Sequence, residues 1–422
     1  MIRLFKPDKH LQGRIRLERS KSISNRALII RELCQEWFSV ENLSGSSDTQ
    51  TLEALLRQWK AQKEEGSGPI TLDAGAGGTT FRFLTAFLAF QPGVQILTGN
   101  QRMKERPIGP LVEALRQLGA RINYLEAQGF PPLRIEAPDW ADYRPEVSIS
   151  ATTSSQFISA LLLAAPGLPE GLLLHLEGPV VSRPYIGMTL DMMRYFGVEP
   201  SISGSEIRIP AAAYQARPFS VEADWTGASY FYAFAALSES CDLFLEGLDR
   251  ESMQGDAALA IRMEAFGVKT AFEPGGARLS RVQCPPVPLV QWDFIANPDL
   301  AQTISALCAA TGCYGLFLGL ETLRIKETDR IAALQRELEK VGVRLGVLPQ
   351  WPEASCFLQE GTAHWNGVPE IATYGDHRMA MAFSALSFLG PIRIEKPEVV
   401  EKSYPNFWND LKTLGFEMDQ GN

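Results

Sequence analysis

The stretch from Ser20 to Leu28 places a lysine, an arginine and three serines at the start of an apolar segment with helical spacing. Ser22 or Ser24 can cap this helix. The free N–H groups of a first helical turn attract anions, and Lys21 and Arg26 add full charges beside them. The stretch therefore indicates an anion-binding site, although a capped surface helix with two solvated cations explains the same residues.

A glycine-rich turn from Gly75 to Gly78 leads into a second apolar helix and allows a ligand to approach the backbone closely. The turn lacks the Gly-Lys-Ser/Thr ending of a Walker A loop and is not a Rossmann fingerprint, so nucleotide binding loses support. Further along the chain, three cations lie close together in the sequence just before another predicted helix: Arg102, Lys104 and Arg106. A tight turn and a solvated charged loop are the alternative interpretations of these two stretches.

Two further predicted helices begin with neutral hydrogen-bonding groups, which suit sugar hydroxyls and phosphate oxygens. These groups are Ser154, Ser155 and Gln156 in one helix and Ser182 and Tyr185 in the other. Ordinary helix capping accounts for each helix separately.

Charged residues precede predicted helices in the second half of the chain as well. Pro298 begins a helix and leaves Asp299 near its positive end. Lys326 and Arg330 are predicted to share a helical face, with Glu327 adjoining. Two cations on one face suit an anion better than mere solubility. Asp376-His377-Arg378 and Lys402-Ser403-Tyr404-Pro405 are also predicted to lie at helix starts.

These helices belong to a weak internal repeat, in which a helix ends in an apolar-Gly-apolar step and a strand follows. The step occurs at Gly119, Gly197, Gly267, Gly342 and Gly415. One more unit fits upstream, where Ser47 and Gln50 form a possible capping box before a leucine-rich helix. The pattern predicts six units of strands and helices, and thus an α/β (α+β) fold.

Composition limits the possible classes of protein. The 422 residues, 45% of them hydrophobic, exceed one ordinary core and predict two domains, with three as the alternative. The net charge of −9 argues against a nucleic-acid-binding surface. Six scattered cysteines and four histidines suggest neither a disulfide framework nor a zinc site. No signal-peptide core and no membrane-spanning run is apparent, so we expect a cytoplasmic protein.

Taken together, the motifs resemble the 5-enolpyruvylshikimate-3-phosphate synthase family along nearly the whole chain. The strings that carry this resemblance, in the family's order, are SKSISNRAL, RMKERPIG, SSQF, SRPYI, PD, KETDR, DHRMAM and EKSYPNFW. The resemblance implies two similar domains, each built from three βαβαββ units, that close over the ligands. We expect residues 1–19 plus 224–422 to form the first, discontinuous domain and residues 20–223 to form the second.

The resemblance also implies roles for individual residues. Those implied to bind shikimate 3-phosphate are Ser22, Arg26, Ser154, Ser155, Gln156, Ser182, Tyr185 and Lys326. Those implied to surround phosphoenolpyruvate are Lys21, Gly78, Arg106, Gln156, Arg330, Arg378 and Lys402. Bidentate arginines suit the phosphate and carboxylate groups of these substrates.

The implied reaction is an addition of the substrate 5-hydroxyl to phosphoenolpyruvate followed by elimination of phosphate. Asp299 is the expected base toward the hydroxyl and Glu327 the expected proton donor to C3. Lys21 and Lys402 would stabilise charge or assist proton transfer, and the division of roles among the four stays open. The family's chemistry requires no metal or organic cofactor. We expect a monomer that acts on small molecules, without nucleic acid or membrane.

Four positions depart from the family pattern: Glu18-Arg19 replaces a common Pro-Gly, and Ala76 and Thr322 each replace a common asparagine. Two alternatives remain open. A UDP-N-acetylglucosamine enolpyruvyl transferase would commonly carry a cysteine between Gly99 and Pro107, where this chain has none. A non-catalytic polyanion-binding repeat protein would show basic surface runs rather than single cations at separate helix starts.

Overall fold

A computed structural model describes residues 1–66, 68–152, 154–348 and 356–420. Its contacts divide the chain into two compact units. Unit 1 comprises Met1–Arg19 and Glu222–Asn422, and unit 2 comprises Ser20–Val221. The expected domains, 1–19 with 224–422 and 20–223, stay a prediction about independently folded domains.

The strands of the described residues are numbered in chain order. They are β1 Ile2–Phe5, β2 His10–Arg16, β3 Val40–Glu41, β4 Ile70–Asp73, β5 Val94–Thr98, β6 Arg121–Tyr124, β7 Leu133–Glu136, β8 Glu146–Ser150, β9 Leu172–Glu177, β10 Ser201–Ser203, β11 Glu206–Ile209, β12 Phe219–Ser220, β13 Ser240–Glu246, β14 Val268–Glu273, β15 Gly276–Arg281, β16 Leu289–Asp293, β17 Tyr314–Leu318, β18 Arg344–Val347, β19 Cys356–Glu360, β20 Glu370–Ile371, β21 Ile392–Ile394 and β22 Glu417–Gln420.

The α-helices of the same residues are α1 Lys21–Leu33, α2 Ser47–Glu65, α3 Gly78–Leu88, α4 Gln101–Lys104, α5 Gly109–Gln117, α6 Ser155–Ala164, α7 Arg183–Tyr195, α8 Trp225–Leu237, α9 Leu259–Arg262, α10 Ala301–Thr311, α11 Arg330–Glu339, α12 His377–Phe383 and α13 Phe407–Thr413. Short 3-10 helices cover Trp140–Asp142, Ala165–Gly167, Gly255–Ala258, Met263–Phe266, Pro298–Leu300, Glu321–Ile325, Ser384–Phe388 and Pro397–Lys402.

The glycine steps predicted from the sequence do end helical segments. The five glycines, Gly119, Gly197, Gly267, Gly342 and Gly415, all have positive φ angles between 75° and 87°. Only glycine adopts this left-handed conformation without a steric cost, and it turns the chain from helix to strand. The prediction of repeated helix–glycine–strand steps is therefore confirmed.

Unit 1 contains three four-stranded sheets with one shared topology. Their strand orders are β2-β13-β15-β14, β16-β17-β19-β18 and β20-β21-β1-β22. In each sheet the first two strands are parallel and the other neighbours are antiparallel. A parallel pair requires a crossover, and helices α10 and α12 provide it in two of the sheets. The N-terminal strand β1 completes the last sheet.

Unit 2 repeats this topology in the sheets β4-β5-β7-β6 and β8-β9-β11-β10. Helices α3 and α6 are the crossovers between their parallel strands. A third sheet is reduced, among the described residues, to the parallel pair β3 and β12. The fold is a mixed α/β repeat, as predicted.

Apolar crossover helices lie at the centre of each unit. Helix α10 packs against α8 and α12 in unit 1, while α1, α3 and α6 pack against one another in unit 2. Every residue of α8 from Trp225 to Ala236 is buried, which matches a helix that is hydrophobic all round. No helix within the described ranges is long and apolar enough to cross a membrane.

Four local predictions about helix starts are wrong. Helix α1 begins at Lys21, so Ser20 is its N-cap and Ser22 and Ser24 lie inside the helix. Helix α2 begins after Ser46, and its predicted capping box is absent because the Gln50 side chain donates to the Gly45 carbonyl. The N-cap of α2 lies one residue upstream of its prediction, and that of α1 lies two residues upstream of Ser22 and four upstream of Ser24. Local signals do not resolve such small differences.

The other two errors concern lysines. Lys326 has an extended conformation before α11 begins at Arg330, so the two cations do not share a helical face. Lys402 ends a 3-10 helix rather than beginning an α-helix, since α13 starts only at Phe407. A 3-10 segment thus precedes Lys326 and contains Lys402, and in both places the regular helix begins only some residues later.

Candidate active site

The candidate residues share one position in the repeated topology, the connection between the carboxyl end of a strand and the following helix. In unit 2 these connections carry Gly78 after β4, Arg106 after β5, Ser154 to Gln156 after β8, and Ser182 and Tyr185 after β9. Lys21, at the start of α1, follows β2 of unit 1 in the chain. In unit 1 they carry Asp299 after β16, Lys326 to Arg330 after β17, Arg378 after β20 and Lys402 after β21. Ligands of α/β sheets bind at such carboxyl ends.

Two arginines lie against the glycine that begins α3. A Cβ atom added to Gly78 would lie 2.5 Å from Nη1 of Arg106 and 2.7 Å from Nη1 of Arg82. Both arginines are 6% exposed, and within the described residues the buried Nε of Arg106 has no hydrogen-bond partner. Two guanidinium groups beside a helix N-terminus form an environment suited to a phosphate or carboxylate.

Arg82 is a residue that the sequence interpretation missed. Its Nη1 donates to Oε1 of Gln156 at 2.7 Å, and Nε2 of Gln156 donates to the Thr79 hydroxyl at 3.0 Å. Gln156 is thereby oriented by two residues of α3. Its spacing from Gly78 could have indicated a role, because Arg82 lies one helical turn after Gly78 and therefore on the same face of α3.

Arg26 of α1 is buried against α6 and α7 of unit 2. Its guanidinium donates to the Ser22 carbonyl, the Thr189 hydroxyl, the Ser159 hydroxyl and the Tyr185 carbonyl, at distances from 2.8 to 3.1 Å. Burial lowers the pKa of Arg26 to about 10, so it remains charged at neutral pH. Arg26 therefore ties α1, α6 and α7 together and fixes the backbone at Ser22 and Tyr185.

Replacing this arginine by lysine should destabilise the fold. In Arg26→Lys one ammonium group cannot reach all four acceptors, and those left behind remain buried. We expect the free energy of unfolding to fall by about 2 to 4 kcal/mol, measured by urea denaturation followed by circular dichroism. Arg57→Lys is the control, because Arg57 is exposed and forms a surface ion pair with Glu53 four residues earlier. Equal stability of the two variants would contradict the structural role of Arg26.

The other candidate residues of unit 2 are also held by specific contacts. Nζ of Lys21 donates to Oδ2 of Asp48 at 3.0 Å, and Asp48, which sequence interpretation missed, is buried. The Ser154 hydroxyl accepts the N–H of Gln156 as the N-cap of α6. Ser182 has a left-handed conformation with φ of 54°, which turns the chain into α7. Ser155 and Ser182 are both mostly buried.

In unit 1, three carboxylates surround a single arginine. Arg330 donates to Oδ1 of Asp299 at 2.9 Å, to Oε2 of Glu327 at 2.9 Å and to Oδ2 of Asp376 at 2.7 Å. Asp376 also caps α12 by accepting the N–H of Arg378. The structure thus brings together segments that lie far apart in the sequence.

Two more cations complete this network. Nη2 of Arg378 lies 2.7 Å from Oδ2 of Asp299, and Nζ of Lys402 lies 3.3 Å from Oε1 of Glu327. Both expected proton-transfer groups, Asp299 and Glu327, are therefore ion-paired. An anionic ligand that binds Arg330 or Arg378 has to compete with these carboxylates.

The charges of the network control the ionisation of Asp299. Burial by itself would raise the pKa of Asp299, but the nearby charges of Arg378, Lys326 and Arg330 outweigh it and hold this pKa well below the usual range. Conversely, burial would lower the pKa of Arg330, and the surrounding carboxylates of Asp376, Glu327 and Asp299 raise it instead. Asp299 is consequently ionised at neutral pH and can accept a proton.

Comparison with known proteins gives consistent results. The sequence model of the family described as EPSP synthase (3-phosphoshikimate 1-carboxyvinyltransferase) matches residues 5–411. The chain is 42% identical to a 3-phosphoshikimate 1-carboxyvinyltransferase of Bacteroides fragilis, over 99% of both chains. It is 36% identical to the enzyme of that name from a Sulfurovum species, over 97% of this chain and 98% of the relative.

Solved structures show the same fold. The EPSP synthase of Acinetobacter baumannii superposes with a TM-score of 0.75 at 21% identity, over 99% of each chain. The enolpyruvyl transferase NikO of Streptomyces tendae gives a TM-score of 0.72 at 14% identity, over 99% of this chain and 98% of its own. At these identities the likeness concerns the fold alone.

Proposed function

The chain belongs to the EPSP synthase (3-phosphoshikimate 1-carboxyvinyltransferase) family, and we propose that it transfers the enolpyruvyl group of phosphoenolpyruvate to the 5-hydroxyl of shikimate 3-phosphate. Phosphate is the second product. The protein is accordingly an enzyme of the shikimate pathway, which leads to chorismate and the aromatic amino acids.

One observation supports this function more than any other, the pair of buried guanidinium groups at Gly78. A buried cation is costly unless an anion or a hydrogen-bond acceptor compensates it. The Nε of Arg106 lacks an acceptor among the described residues, and Arg106 lies beside the N-terminus of α3. A bound phosphate or carboxylate of phosphoenolpyruvate would provide the compensating charge.

We propose the following binding groups for the two substrates. Shikimate 3-phosphate is bound by Ser22, Arg26, Ser154, Ser155, Gln156, Ser182, Tyr185 and Lys326. Phosphoenolpyruvate is bound by Lys21, Gly78, Arg106, Gln156, Arg330, Arg378 and Lys402. The position of these residues, apart from Arg26 within α1, at the connections that follow the carboxyl ends of strands supports the two sets. Since Arg26 is buried, its main contribution is to hold Ser22 and Tyr185 in place.

The proposed reaction has two steps. In the addition, Asp299 accepts the proton of the 5-hydroxyl, the hydroxyl oxygen bonds to C2 of phosphoenolpyruvate, and Glu327 donates a proton to C3. In the elimination, a proton leaves the new C3 methyl group, the double bond re-forms and the C2–O bond to phosphate breaks. Lys21 and Lys402 stabilise the negative charge of the phosphate and carboxylate groups during both steps.

Substrate binding would itself prepare Asp299 for its role. A carboxylate with a depressed pKa is ionised but is a weak base. Phosphoenolpyruvate anions that pair with Arg378 and Arg330 would offset the positive charge acting on Asp299 and so raise its pKa. Asp299 would then be a stronger base when the substrate is present than when it is absent.

We also propose that the enzyme acts in the cytoplasm as a monomer, without nucleic acid, a membrane or a bound cofactor. The net charge of −9 supports the expectation about nucleic acid, because the phosphate backbone would be repelled. Size-exclusion chromatography coupled to light scattering would measure the oligomeric state.

The function is tested by phosphate release from phosphoenolpyruvate with three possible acceptors. We expect turnover with shikimate 3-phosphate and none with UDP-N-acetylglucosamine or without an acceptor. Mass spectrometry of the product should show the added enolpyruvyl group. Turnover with UDP-N-acetylglucosamine in place of shikimate 3-phosphate would instead support the alternative transferase activity, and no turnover with either acceptor would contradict both.

A further inference from the structure

Asp256 is a buried carboxylate of unit 1 to which the proposed mechanism gives no role. It lies in the 3-10 helix Gly255–Ala258 and is 4% exposed. Its Oδ2 accepts a hydrogen bond from the Thr226 hydroxyl at 2.5 Å, and its Oδ1 accepts one from Nδ2 of Asn297 at 2.8 Å. Asp256 therefore links two separate segments of the chain.

One of these segments carries Asp299. Asn297 immediately precedes Pro298 and Asp299, and its carbonyl accepts the N–H of Leu300 at 3.1 Å. Pro298 has no N–H group and cannot add a backbone donor to this turn. The side chain of Asn297 is thus one anchor of the turn that carries Asp299, beside the hydrogen bond from its N–H group to the Phe294 carbonyl at 3.1 Å.

The other segment is rigid. Thr226 lies in the first turn of α8, where Asp224 caps the helix by accepting the N–H of Thr226 at 2.9 Å. Because α8 is buried nearly all round, the packed core holds the Thr226 hydroxyl that binds Asp256 in place. The connection runs from α8 through Asp256 and Asn297 to the turn that contains Asp299.

We propose that Asp256 is a positioning residue for enolpyruvyl transfer, which holds Asn297 and thereby keeps the Asp299 carboxylate in reach of the substrate hydroxyl. This inference rests on the proposed function, because it requires Asp299 to act on the substrate. Asp256 itself need not touch either substrate.

The ionisation of Asp256 provides a readout that a purely structural residue would lack. Burial raises the pKa of Asp256 to about 6, and the like charge of Asp299 adds to this effect, while Thr226, Asn297 and Arg378 act against it. Asp224 contributes a further charge at the start of α8. Protonation below this pKa removes the negative charge that strengthens the hydrogen bond from Asn297.

The central test compares two substitutions of Asp256 in the full-length enzyme. In Asp256→Ala both hydrogen bonds are lost, and we expect kcat to fall by about 10- to 100-fold, with smaller changes in KM for either substrate. In Asp256→Asn the amide oxygen can accept from Asn297 and the amide nitrogen can donate to Thr226, so kcat at pH 8 should stay within about threefold of wild type.

A double-mutant cycle identifies the route of the effect. Asn297→Ala should lower kcat by about the same factor as Asp256→Ala, and the double variant should be no slower than either single variant. If kcat of the double variant instead fell by the product of the two single losses, Asp256 would not act through Asn297. This result would overturn the proposal.

The pH profile supplies a second readout. The ratio of kcat for wild type to kcat for Asp256→Asn cancels the titration of the substrate phosphates. We expect this ratio to fall from about threefold at pH 8 toward 1 as the pH drops through about 6, because the wild-type side chain then loses its charge and resembles the amide. A ratio that stays constant from pH 5 to 8 would contradict a role for the ionised Asp256.

Gln359 provides a control in the same unit. It is fully buried on β19, where its Oε1 accepts a hydrogen bond from the Ser305 hydroxyl at 2.5 Å and its Nε2 donates to the Ser305 carbonyl at 2.8 Å. Neither residue adjoins a proposed catalytic residue in the sequence. Gln359→Ala leaves the buried groups of Ser305 without these hydrogen bonds, so it should lower the thermal stability as Asp256→Ala does, yet leave kcat near that of wild type.

Equal losses of kcat in Asp256→Ala and Gln359→Ala would overturn the proposal, since both would then reflect general destabilisation. If Asp256→Ala does not fold, Asn297→Ala and the pH profile of Asp256→Asn decide the question. Absence of turnover in the wild-type enzyme would refute the proposed function itself. Normal turnover of wild type together with normal kcat in Asp256→Ala would refute only the role of Asp256.

Discussion

Asp299→Asn and Glu327→Gln are each expected to lower kcat by about 10²- to 10⁴-fold, the range that general acid–base groups contribute. Each amide keeps the size of the carboxylate and part of its hydrogen bonding but cannot exchange the proton that the reaction requires. Shikimate 3-phosphate should still bind to both variants. Isothermal titration with shikimate 3-phosphate and single-turnover kinetics with both substrates would measure the two properties separately.

The ion pairs of Asp299 predict an additional, opposite effect on substrate binding. Asp299 lies within 2.9 Å of Arg330 and 2.7 Å of Arg378. Its replacement by asparagine removes the negative charge that competes with an incoming anion. We therefore expect the Kd for phosphoenolpyruvate, measured in the presence of shikimate 3-phosphate, to be unchanged or lower in Asp299→Asn while kcat falls.

Asp329→Asn is the matched control for these substitutions. Asp329 belongs to the same KETDR stretch, but it caps α11 through the N–H groups of Ile331 and Ala332 and is 39% exposed. Asparagine is an equally good N-cap, so kcat should remain near the wild-type value. Near-normal turnover in both Asp299→Asn and Glu327→Gln would remove these residues from the mechanism.

Gly78→Ala is expected to raise KM for phosphoenolpyruvate by about 10- to 100-fold and to leave the affinity for shikimate 3-phosphate almost unchanged. The added methyl group would lie 2.5 Å from Nη1 of Arg106 and 2.7 Å from Nη1 of Arg82. Both contacts involve the ends of flexible side chains, so the helix can accept the methyl group if the guanidinium groups move. The predicted loss thus concerns the anion site rather than the fold.

Gly187→Ala tests whether alanine in a helix of unit 2 is harmful for other reasons. Gly187 lies inside α7, and an added Cβ would meet nothing within 4 Å. This variant should bind both substrates normally and be slightly more stable, because alanine favours helix over glycine. If Gly78→Ala instead weakened both substrates equally, or changed KM for neither, Gly78 and its two arginines would not form the phosphoenolpyruvate site.

The sequence alone determined those structural features that depend only on residues close to one another in the chain. The left-handed glycines after helices follow from the conformational freedom of glycine at a single position. The starts of α6, α7 and α12 follow from capping and N-terminal residues within one turn, at Ser154, Pro184 and Asp376. The resemblance to a known family came from the order of such local motifs, and the family comparison confirmed it.

Local patterns were less reliable where a helix could begin at several adjacent residues. Ser20 rather than Ser22 or Ser24 occupies the N-cap position of α1. Lys326 follows a 3-10 segment and Lys402 ends one, so neither lysine lies in an α-helix. Serines and lysines are compatible with each of these conformations. Tertiary packing selects among them, and the small energy differences of capping do not.

Only the tertiary structure decided which charged groups meet. Asp299, Glu327 and Asp376 converge on Arg330 from three separate strand–helix connections. Likewise, Arg106 follows β5 but lies against Gly78, which follows β4. Asp256 forms a hydrogen bond with Asn297, which is 41 residues away in the sequence. Periodicity and capping depend on residues within about one helical turn of each other. The contacts between these charged groups depend instead on how the sheets and buried helices stack. Stacking brings residues that are distant in the sequence within hydrogen-bonding distance.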